Sequence, residues 1–124
     1  MALIEDVRVA GTCVVVVDDA GLVLVVRGGA GLGLPRGPVG GGETVAEAAA
    51  RVVAEQTGVV VEERFAPLGV GPGGAVCLRA RPAEGDLAER ALWIEPEDLD
   101  GLTLAAGVRE LIEQAVDAGT ARTG

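Results

Sequence analysis

The run from Gly37 to Val59, GPVGGGETVAEAAARVVAEQTGV, constrains this chain more than any other segment. A glycine- and proline-rich lead-in gives way at Thr44, whose hydroxyl suits a helix N-cap, and Glu47 three residues on completes a capping box. Gly58 suits the left-handed position that ends a helix. The spacing therefore predicts a helix from about Val45 to Thr57. At ~100° per residue, positions 52, 55 and 56 share one face of that helix. They are occupied by Val52, Glu55 and Gln56, a face with one carboxylate.

The flanks read as strands. Thr12–Val17 and Leu22–Val26 are β-branched apolar runs separated by Asp18–Gly21, the pattern of a β-hairpin. Extended segments are expected at Val59–Val61, Phe65–Val70, Ala75–Arg81 and Ala91–Ile94, with a turn at Pro72–Gly74. EPEDL, from Glu95 to Leu99, suits a short turn or helix start. Val108, Leu111, Ile112, Ala115 and Val116 form the apolar stripe of a C-terminal helix ending near Gly119. Strands with two helices packed on a sheet make an α/β or α+β domain. With 124 residues, 49% of them apolar, the chain is read as one domain, 1–124, with its core between about 7 and 118.

Composition excludes several chemistries. The chain has no His, Ser, Lys, Tyr or Asn, so it cannot build a Ser-His-Asp triad, a Cys-His pair or a Lys Schiff base. Two cysteines and no histidine fall short of the usual zinc sites. Cys13 and Cys77, 64 positions apart, read as small buried hydrophobes. A net charge of -9 argues against nucleic acid as a partner. No apolar run is long enough to cross a membrane, and the N-terminus lacks a signal-peptide layout, so the expected location is cytoplasmic. The Arg, Ala, Gly and Val bias suggests a high-GC bacterium.

Two glycine patterns are decoys. Gly37–Thr44 mimics a phosphate-binding P-loop, but Glu43 stands where Lys belongs and would repel a phosphate. Gly69, Gly71 and Gly74 fit G-x-G-x-x-G, but a strand rather than a helix is expected to follow.

The segment Gly37–Val59 resembles the Nudix box, G-x5-E-x7-R-E-U-x-E-E-x-G-U, where U is a bulky aliphatic residue. Gly37, Glu43, Arg51, Val53, Glu55, Gly58 and Val59 fall on the pattern; Val52 and Gln56 stand where it has Glu. The LPRG lead-in at Leu34–Gly37, the strands before it and LWIEPEDL before the last helix extend the likeness from about Val7 to Val116. The resemblance implies an α/β/α sandwich, a mixed sheet flanked by helices. It implies a tie between Glu43 and Arg51, a carbonyl ligand from Gly37, and Mg2+ or Mn2+ held by carboxylates for hydrolysis of a nucleoside diphosphate linked to another group. Only Glu55 carries over as a metal carboxylate, with Gln56 and Glu89 as helpers. The resemblance also admits a homodimer.

Three functions follow. In one, Glu55, desolvated beside Val52, does metal-independent acid/base chemistry of isomerase, cyclase or lyase type, as in specialised metabolism. In another, a divalent metal supports hydrolysis. In the third, the domain binds a ligand or regulates without catalysis. The partner in each is a small molecule, phosphorylated or not. Arg27, Arg36, Arg79 and Val52 are the candidate substrate contacts. Arg79 and Arg81, two apart on a strand, point to one face. Restoring Glu at 52 and 56 is expected to create divalent-metal affinity.

Overall fold

The computed structural model describes residues 11–71 and 74–123. The expected turn at Pro72–Gly74 lies largely outside them, as does the chain before Gly11. The first strand, β1 (Thr12–Val16), is buried along its whole length. Its even residues Val14 and Val16 pack with Ala49 and Val53 of helix α1 (Val45–Thr57). Its odd residues Cys13 and Val15 pack with Ile112 and Ala115 of helix α2 (Val108–Thr123). Period-two alternation thus serves two cores at once, which is why the run is apolar at every position. The architecture is a mixed sheet layer between two helices.

Because both faces of β1 are covered, both its edges are also used. It pairs antiparallel with β4 (Arg36–Gly37) and parallel with β7 (Val76–Ala80), which in turn pairs with β6 (Ala66–Val70). This corrects the expected hairpin. The strand β2 (Val23–Gly28) finds no free edge on β1 and joins a second sheet, between β3 (Gly31–Gly33) and β9 (Ala91–Ile94). A single bridge, Val17 to Val23, remains between the two runs. A third ladder, of β5 (Val59–Val61) and β8 (Pro82–Gly85), extends from the end of α1. The short strands β3, β4 and β8 lack a periodic apolar signal.

Helix α1 begins and ends as its sequence prescribes. Thr44 and Glu47 form the reciprocal capping box, and Gly58 closes the helix at φ 80°. A side chain at Gly58 would be strained there, and its Cβ would lie 2.1 Å from the Asp86 carbonyl oxygen. EPEDL becomes a 3-10 helix, Pro96–Gly101. Helix α2 runs past the expected end at Gly119 to Thr123, since a helix interior tolerates glycine at a cost of about 1 kcal/mol.

Candidate functional site

The loop from Pro38 to Thr44 is bound to α1 by one guanidinium. Arg51 Nε donates to Glu43 Oε2 at 2.7 Å, and Arg51 Nη2 donates to Glu43 Oε1 at 3.0 Å and to the Pro38 carbonyl at 2.9 Å. Glu43 Oε1 also accepts from the Gly40 N–H at 2.7 Å. The Arg51 hydrogen bonds, then the Gly40 N–H, hold the Glu43 carboxyl below the usual carboxylate range. Glu43 in turn raises Arg51. The fork gives Glu43 and Arg51 a structural use, clamping the loop.

Arg51 Nη1 donates to Glu55 Oε1 at 3.1 Å, and the Glu55 side chain is 61% exposed. The desolvation expected for Glu55 is therefore corrected: solvent and an arginine surround it. Val52, expected to touch substrate, is 1% exposed. It packs beneath Gly37, where a Cβ would meet Val52 Cγ2 at 3.0 Å. So the helix face splits, with Val52 turned into the protein and Glu55 out to water.

Gln56 makes a contact that the sequence alone did not reveal. Its Oε1 accepts from the Arg36 N–H at 3.2 Å and its Nε2 donates to the Arg36 carbonyl at 2.6 Å. An amide can do both at once; a carboxylate cannot donate. Gln56 thus clasps the main chain of β4 to α1, one residue from Gly37. Thr57, also unforeseen, is fully buried; its hydroxyl donates to the Val53 carbonyl at 2.6 Å and accepts from the Val59 N–H at 3.1 Å.

Glu89 lies on the loop seated against the end of α1, where the Ala88 N–H donates to the Thr57 carbonyl at 2.9 Å. Arg27 Nη1 holds the same loop through the Glu89 carbonyl at 3.3 Å. Main-chain contacts thus bring β4 at Arg36 and the loop before Glu89 to the C-terminal half of α1, which carries Glu55 and Gln56, while Arg27 reaches only that loop. Even so, among the described residues no three of Asp, Glu and Cys come together closely enough to hold a metal ion. A hard divalent cation wants several oxygen ligands. One exposed carboxylate, a buried valine and an engaged amide do not fit one.

Arg36 also lines a cavity of about 70 Å³ with Cys13, Leu34, Cys77, Ala105 and Leu111, under the start of α2. Arg79 and Arg81 lie elsewhere. They line one open cleft, at the far end of β1, with Asp18, Asp19 and Arg64. Arg79 Nε donates to the Ala115 carbonyl at 3.1 Å, and Arg81 pairs with Asp19. No residue is common to the cavity and the cleft.

Solved structures share this arrangement of strands and helices. The chain is similar to an ADP-ribose pyrophosphatase from Streptococcus suis, with 17% identity over 88% of this chain and 90% of that one, and a TM-score of 0.71. It is similar to a NUDIX-family hydrolase from Clostridium perfringens, with 16% identity over 90% and 97% of the two chains, and a TM-score of 0.70. A third likeness is to the NUDIX domain of Shewanella oneidensis NrtR, complexed with ADP ribose, with 19% identity over 91% and 89% and a TM-score of 0.69. None of the curated proteins is similar enough to match. Likeness at these identities establishes the fold alone, but the family model for the NUDIX domain matches residues 7–115. With a match over most of its length, and with the box residues holding the loop to the helix, the chain belongs to the Nudix family.

Proposed function

We propose that this chain is a ligand-binding Nudix domain that takes a small phosphorylated molecule and does not hydrolyse it efficiently. The Gln56 clasp on Arg36 carries this reading. In a metal-dependent diphosphate hydrolase, clustered carboxylates hold the ion that offsets charge on the leaving phosphate. Here one such position is spent on main-chain hydrogen bonds and another is packed beneath Gly37. Arg36 remains as a cation beside a partly open cavity, and that pairing suits an anionic group joined to a compact apolar or aromatic one.

Acid/base catalysis at Glu55, of isomerase, cyclase or lyase type, has less support. A carboxyl tuned for that work is usually desolvated, whereas Glu55 is 61% exposed and paired with Arg51. Membrane insertion has no support from helices either: none among the described residues is long and apolar enough to cross.

Calorimetric titration with ADP-ribose and with ADP, each in EDTA and in Mg2+ or Mn2+, tests the proposal. The expected result is binding that persists in EDTA, no product by chromatography, and about a tenfold loss of affinity in Arg36→Ala, equal to ~1.4 kcal/mol. Metal-dependent turnover that disappears in Glu55→Gln would overturn it in favour of hydrolysis. Metal-free conversion of a ligand that stops in the same variant would favour acid/base chemistry.

A further inference from the structure

We propose that Cys13 and Cys77 are a peroxide-oxidisable pair that closes to an intramolecular disulfide between β1 and β7. In sequence they are 64 positions apart; in the fold they are register partners on adjacent parallel strands. Partners across a parallel ladder share a face, and both residues belong to the core cluster beneath α2. Neighbouring strands lie ~4.8 Å apart, inside the roughly 4.4–6.8 Å span of Cα separations that a disulfide bridges. Both are free thiols.

Both sulfur-bearing residues line the cavity of about 70 Å³ beside Arg36. That space admits an oxidant as small as hydrogen peroxide, the class proposed here. Cys13 is 8% exposed and Cys77 1%, so both are buried and peroxide reaches the pair through that cavity; the steps are written with Cys13 first, and the reverse order gives the same product. Burial, followed by the neighbouring Cys77, pushes the Cys13 thiol up to about 12, and burial raises Cys77 as well; Arg36 opposes both shifts. The pair therefore rests protonated, and Arg36 is the group that favours thiolate.

The chemistry balances in two steps. The Cys13 sulfur attacks one peroxide oxygen and breaks the O–O bond. The product is a sulfenic acid, and the departing hydroxide takes the thiol proton as water. The Cys77 sulfur then attacks the Cys13 sulfur, the S–O bond breaks, and the hydroxide leaves with the Cys77 proton as a second water. Two thiols are oxidised and one peroxide is reduced.

The test treats the folded full chain with hydrogen peroxide, removes the excess, then denatures the chain and counts thiols with a chromogenic disulfide. The expected count falls from two to zero, the chain stays monomer-sized on a non-reducing gel, and tryptic peptides 9–27 and 65–79 are joined until dithiothreitol is added. Thermal unfolding should shift upward on oxidation and return on reduction, because the bond closes a long loop. In Cys77→Ala and in Cys13→Ala, dimedone should trap a sulfenic acid at the cysteine that remains, since its resolving partner is gone. Separate sulfinic acids, disulfide-linked dimers, or thiols that peroxide oxidises only after denaturation would each overturn the proposal.

Discussion

At the scale of single residues, two neutral side chains, Val52 and Gln56, stand where the Nudix box has glutamate, and both serve the packing of α1 against β4. Gln56 supplies one donor and one acceptor to the main chain of the same residue of β4, Arg36. At about 0.5–1.5 kcal/mol per net hydrogen bond, losing both in Gln56→Ala is expected to lower stability by roughly 1–3 kcal/mol in urea unfolding. Gln56→Glu should cost more at neutral pH, because its carboxylate would face the Arg36 carbonyl with nothing to donate. The gap between the two variants should close on acidification, as the glutamic acid regains a proton to donate. Glu43 behaves oppositely. Its pKa is depressed in the folded state by Arg51, so its stabilisation is present above the ordinary glutamate value and is lost as pH falls through the depressed one. Glu43→Gln should therefore flatten the acid limb of a stability-against-pH curve while leaving its neutral plateau lower.

At the scale of elements, helix α1 shows which parts of a site can be read from a chain and which cannot. Its start and its end follow from the local spacing of Thr44, Glu47 and Gly58, and the Glu43–Arg51 tie from the likeness to the Nudix box. The direction of each side chain on the helix surface does not follow. Positions 52, 55 and 56 were grouped by helical phase, but β4 lies over only part of that face, so Val52 is buried while Glu55 is solvated. The clasp depends on a two-residue strand without periodicity, and so leaves no signature. This changes what Val52→Glu with Gln56→Glu should do. The double variant is expected to melt below the parent in EDTA, having lost the clasp and gained a carboxylate beneath Gly37. It should recover several degrees in millimolar Mg2+ or Mn2+, because an ion that binds only the folded state stabilises it. Differential scanning calorimetry with and without metal checks both halves; an unchanged melting point in EDTA would count against the packing described for Val52.

At the scale of the whole molecule, the layered order was legible because β1 and α2 carry strong apolar patterns. The pairing of strands was not. Apolar runs near each other in sequence suggest a hairpin, but a strand buried on both sides recruits partners from afar, β4 and β7. The same long-range pairing brings Cys13 opposite Cys77 and separates the Arg79–Arg81 cleft from Arg36. The amide bracket between Gln56 and Arg36 has a mechanical consequence. The edge strand β4 has only two residues, so its hold on the sheet is shared with a side chain of α1, and loosening either seam loosens the other.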